Sequence, residues 1–541
     1  MKTGVMSAVC FSIASLALSA CDGSDHASGL AADAKLLPEV AEDKRTEVND
    51  DRLMNAEATI PSQCYTDTQA VHNPCYTCHQ VYKDERFNRL TDGGLQGSYM
   101  FSEVGETNHW TNLFVDRSDW VAAVSDKQID EYVNTENYSQ LPERLKQGDW
   151  QGFIPDLADY HLGADAFDHQ GLARDGSGWV AFNYKPFPGT FWPTNGSTDD
   201  VVIRLSEKFR TLDGEFNRDV YFINLTLAEL SLKDEPEATI NSVDERTFNT
   251  DLDMNGVLDT ATKVVRRSHY IGDASDVALT FQQLPTGTEF MHSVRYVGVD
   301  SEGATFIPPR MKELRYMVKV NTFSQGDIQN KYDNERKEKF LGLLPKFINR
   351  FDNGFDNGMG WFVQGYIEDY DGALRPQSFE ERLACMGCHS AIGTTIDNTF
   401  SLARKVPGAE GWGYIDTRGM KDAPSITEQG GEIYNYFRTA GGGSEFRSNP
   451  EIVERWFDQS GQPDAEKMAD ADVYTLISPS PERARALNKT YTHIVPHQSF
   501  IKGRDATVSP PVHVKTSVEN HTPPLQDDSL YFGWDIRLNW Q

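Results

Sequence analysis

Two pentapeptides, Cys75-Tyr76-Thr77-Cys78-His79 and Cys385-Met386-Gly387-Cys388-His389, carry the most sharply specified chemistry in the chain. Paired thiols followed directly by an imidazole form the pattern by which a haem is held covalently. The thiols add across the two vinyl groups, and the imidazole becomes the proximal iron ligand. The spacing has a geometric reason: on a helical turn, positions i, i+3 and i+4 share one face, so all three side chains reach one macrocycle. Cys75, Cys78, Cys385 and Cys388 are therefore read as attachment residues, and His79 and His389 as proximal ligands. The expected cofactors are two covalently bound haem c groups. The competing readings are a redox-active thiol pair, or a four-thiolate zinc site made where both pairs meet. Either leaves the histidine after each pair without a role.

These motifs resemble those of the c-type cytochromes, and the resemblance is confined to the ten motif positions. It implies electron transfer, with the sixth iron ligand deciding what each haem can do: a second His or Met closes the iron, whereas an open position admits peroxide or oxygen. Met420, in the turn-rich stretch Thr417 to Pro424, is the first candidate distal ligand for the second haem. A methionine on a loop after the motif helix resembles small cytochromes c. Met100 and His109 are candidates for the first haem, with Trp110 and Phe114 giving His109 apolar cover; His72 stands just before the motif. His292 lies on the apolar face of a presumed strand, Phe290 to Tyr296. It is either a hydrogen-bonded core histidine or a ligand delivered from a distant part of the chain. His161 and His169, among Asp159, Asp165 and Asp168, read as a solvated acidic loop, and His493 and His497 flank Pro496, which breaks their helical spacing.

The N-terminal residues point to export. Lys2 precedes an apolar stretch from Val5 to Leu18 that is too short to span a bilayer and reads as a signal segment. Leu18-Ser19-Ala20-Cys21 then resembles a bacterial lipoprotein box, which implies cleavage before Cys21 and acylation of that cysteine; ordinary cleavage after Ala20 is the alternative. Asp22 resembles the inner-membrane retention signal of enteric bacteria. The expected location is the periplasmic side of a bacterial membrane or the cell surface. Of seven cysteines, Cys10 leaves with the signal, Cys21 takes lipid and four take haem, so Cys64 remains as a buried thiol. With 81 acidic against 51 basic residues and a net charge of -30, the chain is unsuited to nucleic acid or to anionic lipid, and favours basic or neutral redox proteins as partners.

The elements that must position these residues divide the chain into five segments. Residues 1–20 are the signal peptide and 21–60 a lipid-anchored flexible tether, whose roughly 39 residues would reach about 35 Å. Residues 61–148 form the first haem segment, with a helix around Trp120 to Val133 whose second part Ser125 can cap. Residues 149–326 form a β-rich domain, from the runs Trp179 to Tyr184, Val201 to Leu205, Val220 to Leu227 and Val277 to Phe281. Residues 327–541 form a second, helical haem domain. Its expected helices are Glu335 to Arg350, kinked at Pro345, one opened by the capping box Ser378–Glu381, and others starting at Asn449-Pro450 and Ser480-Pro481. The expected fold class is α+β multidomain, with helical cytochrome c-like segments at both ends flanking the β-rich middle. Within that middle, Asp251, Asp253, Asn255, Val257 and Asp259 resemble the start of an EF-hand calcium loop, with Gly256 at the sharp turn. Thr262 stands where a bidentate Glu belongs, and an Asx-rich hairpin turn is the plainer reading.

Three functional classes follow. The first is a lipid-anchored dihaem electron carrier. The second is an enzyme: dihaem cytochrome c peroxidases and the haem-dependent rubber oxygenases also carry two such motifs in one exported chain, with one open iron, though peroxidases space them more closely. The third is a binding module whose β-rich part docks a partner or a carbohydrate.

Overall fold

The computed structural model describes residues 60–541 except 83–87, 89, 95–97, 190, 342–346, 443–445, 498–499, 506, 520 and 523–532. The expected signal peptide, tether and Cys21 lie outside the described residues. The architecture is organised by one eight-stranded antiparallel sheet. Its strands run in the order Val180–Ala181, Thr198–Arg204, Glu289–Arg295, Met311–Lys319, Trp361–Glu368, Phe355–Asp356 and Ile348–Asn349, with Leu374–Pro376 pairing beside Trp361–Glu368. The central strands alternate side chains between two buried faces, as period two requires. Val201, Ile203, Phe290, Met317 and Val363 enter one core. Val202, Met291, Leu314, Tyr316 and Tyr366 enter a second core on the opposite face.

The sheet corrects the expected fold class. Its strands come from residues 180–204, 289–319 and 348–376, so it runs through the supposed boundary at 326 and makes the second haem motif part of the sheet's own surroundings. No cytochrome c-like helical segment stands at either end among the described residues. The first motif lies on a short 3-10 turn, Pro74–Thr77, and the helices that follow it, Ser118–Ala123, Asp126–Val133 and Leu141–Gln147, are each only one or two turns long.

Three local expectations also change. Val277 to Phe281, read as strand, carries only an isolated bridge from Ala278 to His269, because its turn-rich neighbours give it no partner strand. Val220 to Leu227, read as strand, lies inside the helix Arg218–Lys233, capped by Asn217, which accepts from the Val220 amide at 3.0 Å. A continuous apolar run suits a buried helix as well as a buried strand. This helix is enclosed almost all round, and its Glu229 and Lys233, one turn apart, pair at 2.8 Å inside the core. The helix expected over Glu335 to Arg350 is displaced N-terminally to Gln325–Phe340, with Ile348–Asn349 a strand and 342–346 outside the described residues. The caps are where the residue types place them. Ser125 and Ser378 form capping boxes with Gln128 and Glu381, and Asn449 and Ser480 cap the helices Pro450–Trp456 and Pro481–Ile494.

Candidate haem-binding site

Each motif is wound so that its three reactive side chains share a face. In the second, the helix Phe379–Met386 ends at the motif, and the Cys388 and His389 amides donate back to the Cys385 carbonyl at 3.2 and 2.9 Å. In the first, the Cys78 and His79 amides donate to the Cys75 carbonyl at 3.1 and 2.9 Å. No disulfide joins any of the described cysteines, Cys64, Cys75, Cys78, Cys385 and Cys388. Burial pushes the Cys75 thiol up to about 11. Burial also pushes Cys78 well up, and the neighbouring Cys388, Cys64 and Cys75 sulfurs add to it. Such surroundings oppose thiolates and suit sulfurs that end as uncharged thioethers. The four motif sulfurs do not gather at ligating distance either: among the described residues only Glu245, Asp251 and Asp253 form a group that close. That geometry disfavours the zinc alternative.

Though separated by 310 positions (385 minus 75) in sequence, the motifs meet in space. The turn after His389 docks onto the first motif, where the Thr394 amide donates to the Cys78 carbonyl at 3.0 Å. Tyr82 Oη donates to the Gly393 carbonyl at 2.5 Å. Gly393 has to be glycine, because a Cβ there would stand 2.3 Å from Asp92 Oδ1 and 2.8 Å from the Gln80 nitrogen. Asp92 is the hinge of this contact. Its Oδ2 lies 2.9 Å from His79 Nδ1 and 3.2 Å from the Gly393 amide, while Oδ1 accepts from the Gln80 amide at 2.8 Å. A carboxylate on Nδ1 fixes the ring and leaves Nε2 as the ligating nitrogen.

His389 is set differently. Burial, then Arg315 and His292, push its imidazole down to about 3, so the ring stays neutral, as an iron ligand must. Its Nδ1 is buried without a hydrogen bond, and the Asn398 backbone is the one group beside it that favours the charged form. Asp397 and Asn398 both have positive φ, at 52° and 57°, in a tight turn between the bridged residues Ile396 and Thr399. Asp and Asn tolerate that region better than other non-glycine residues.

His389 opens onto a cavity of about 240 Å³. One wall is the motif turn, with Cys385, Cys388 and His389; Cys78 of the first motif joins it. The opposite wall is the sheet, and its lining residues follow strand alternation: Asp199 and Val201, then Phe290, His292 and Val294, then Glu313, Arg315 and Met317. Phe187, Phe191 and Phe400 close the sides. Buried cations also line it. Arg315 is paired with Glu313 at 2.9 Å, and Arg504 lies 3.3 Å from Glu313 and 4.0 Å from Cys385 Sγ. A largely apolar cavity whose lining brings together motif thiols and a neutral imidazole has the donor set that a haem c needs.

The other sequence-derived candidates fall elsewhere. Met420 packs in a separate apolar cluster with Trp192, Ile433 and Tyr436 and does not line this cavity. His109 sets its Nε2 against the Val104 carbonyl at 3.3 Å near the surface, and Met100 is half-buried; neither lines the cavity. His72 packs against Gly441, where a Cβ would stand 2.4 Å from the ring. His292 is the one candidate distal ligand that the fold brings to a motif histidine. Cys64 is half-buried and close enough to Cys78 to act on it electrostatically.

In the calcium-like loop, Asp251 and Asp253 accept from the Asn255 and Gly256 amides within the turn. The residue that the sequence reading missed is Glu245. It is fully buried, accepts from the Leu252 and Asp259 amides at 2.5 and 3.0 Å, and lies within ligating distance of Asp251 and Asp253. Val257 is exposed and Asn255 points its Oδ1 at the Val257 amide at 2.7 Å.

A model of a family described as a lipoprotein matches residues 48–478, most of the chain, and the protein belongs to that lipoprotein family. An uncharacterized lipoprotein of Aquifex aeolicus (strain VF5) is 33% identical over 512 residues, covering 83% of this chain and 86% of the relative. No solved structure matches. The protein is thus an exported, lipid-anchored protein of the bacterial periplasmic side or surface, and no helix among the described residues is long and apolar enough to cross a membrane.

Proposed function

We propose that this lipoprotein is a dihaem c-type electron carrier, tethered through its lipid and exchanging electrons with basic or neutral redox proteins. The observation that carries the reading is the convergence of two remote CxxCH turns, one docked on the other through Asp92, Gly393 and Thr394, beside a cavity lined by sulfur, imidazole and guanidinium groups. Bound there, haem would supply a one-electron couple. The chain's own residues do the rest. Cys75 and Cys78 would hold one group and Cys385 and Cys388 the other, with His79 and His389 as the proximal ligands. The Asp92 carboxylate contacts the His79 ring whereas His389 has no carboxylate partner, so the two irons would differ in potential, the His79 site being the lower. The net charge of -30 steers basic partners at low salt.

The deciding experiment is retention of pigment. Denatured protein washed with acidified acetone is expected to stay coloured and to weigh two haem groups more than the polypeptide. Loss of both the colour and the added mass overturns the proposal.

A calcium site in the hairpin loop is a second proposal. The Glu245 carboxylate lies within ligating distance of Asp251 and Asp253, and so adds a third carboxylate to a loop whose Thr262 supplies none. Two carboxylate oxygens offer about four lone-pair sites, so the bonds to backbone amides leave room for a cation. Glu245→Ala is expected to abolish a calcium-dependent rise in melting temperature. It should also cost about 1–3 kcal/mol without calcium, because buried amides lose their acceptor. Calorimetric titration of the wild type that gives no heat removes the calcium part and leaves the stability part standing.

A further inference from the structure

The geometry points to His292 as the sixth ligand of the haem held by Cys385, Cys388 and His389, closing that iron with two imidazoles. This inference rests on the haem reading above and names what completes the site.

Three observations carry it. First, register: Val201 pairs with His292, and His292 with Arg315, across three adjacent strands, and all three side chains line the cavity. His292 is therefore central on the sheet wall, opposite the motif turn. Second, partnership: His292 Nε2 is buried with no hydrogen bond, although Asp199 Oδ2 lies 3.3 Å away. That oxygen also accepts from Tyr184 Oη at 2.7 Å, and it lies at ion-pair distance from His292 Nε2 without hydrogen-bond geometry. A buried ring nitrogen without a hydrogen bond is costly unless something coordinates it. Third, proximity: His292 and His389 line the same cavity from two different elements, the sheet and the motif turn.

The ring is also held in place. Phe191 packs against it edge-on, with centroids 5.1 Å apart, and the Arg315 guanidinium lies over the other side of that phenyl, 4.9 Å from its centroid. Met317, two residues beyond Arg315 on the same face, is the competing donor. Unlike His292, it offers a weak thioether already packed in the apolar core. The consequence is structural as well as electronic. The middle of the chain supplies the ligand, so the second haem site is incomplete without the sheet.

The test uses the full-length holoprotein. Near-infrared magnetic circular dichroism and EPR of the oxidised wild type are expected to show a low-spin bis-imidazole haem. His292→Ala, with both haems retained by mass, should convert one haem to high spin, and added imidazole should restore the low-spin signal. A wild type showing only histidine–methionine or high-spin haem overturns the inference, as does a variant whose two haems keep their wild-type spin states. Should the variant fail to fold or lose haem, the wild-type spectrum still decides. Absence of covalent haem, seen by mass, is a separate outcome that fails the haem reading itself.

Discussion

Asp397→Ala is expected to lower the unfolding free energy by about 3–5 kcal/mol, because it strands a buried lysine. Lys319 Nζ donates to Asp397 Oδ1 at 2.5 Å, and both side chains are fully enclosed. The same carboxylate accepts from Asn88 Nδ2 and the Leu284 amide, each at 2.9 Å. It therefore joins four parts of the chain: the stretch after the first motif, the loop before the Glu289–Arg295 strand, the strand of Lys319, and the turn after the second motif. Burial pushes the Asp397 carboxyl up and the Lys319 ammonium down, while their mutual attraction opposes both. Removing one partner leaves the desolvation cost of the other uncompensated. Urea denaturation checks this through a fall in midpoint at unchanged slope. The pair Lys319→Met with Asp397→Asn is expected to recover part of the loss, since no buried charge remains while asparagine tolerates the positive φ and keeps an acceptor for the Leu284 amide. A single variant that unfolds at the wild-type midpoint would show that the pair contributes little.

Asp92→Asn is expected to raise the reduction potential of the His79 haem and leave that of the other close to its wild-type value. On the dihaem proposal, the carboxylate beside His79 Nδ1 would make the imidazole a stronger donor and favour the oxidised iron, and a neutral amide would remove that bias. Spectroelectrochemical titration should show the lower of two waves moving upward, narrowing their separation. Asp92→Ala should add a stability loss of about 1–3 kcal/mol, because the Gln80 and Gly393 amides also lose their acceptor. Unmoved waves in Asp92→Asn would show that the carboxylate does not tune the iron. Movement of the upper wave alone would reverse the assignment of the two potentials.

The spin states read in the His292 test separate an electron carrier from a haem enzyme with an open iron. A second haem closed as proposed would leave only the first for such chemistry. Asp92 and the Tyr82–Gly393 contact then bear on how firmly the two motifs are held together, which sets the path for transfer between them.

How much could be read beforehand divides along physical lines. Local chemistry was legible. The CxxCH spacing specifies thiols and imidazole on one face because a helical turn fixes which side chains are neighbours. The residue types at Ser125, Ser378, Asn449 and Ser480 specify helix starts because an orphan amide needs an acceptor nearby. Val220 to Leu227 was misread because an apolar run carries no period, and only enclosure on every side of the helix decides for it. Met420 drew attention by its position after the motif, yet it packs with Trp192 and Ile433. Asp92 and Glu245 carried no signal, because what assigns each its role is the folded placement of partners that no motif marks in sequence.

Export and lipid attachment, the paired haem-type turns and the acidic charge belong to the sequence alone, since each depends on residues that are close neighbours or on a sum over the chain. Which histidine faces His389, which carboxylate holds His79, and that the two motifs touch were decided by the tertiary structure. One antiparallel sheet draws its strands from residues 180–376, and its register, set by burial on both faces, determines which side chains point into the shared cavity.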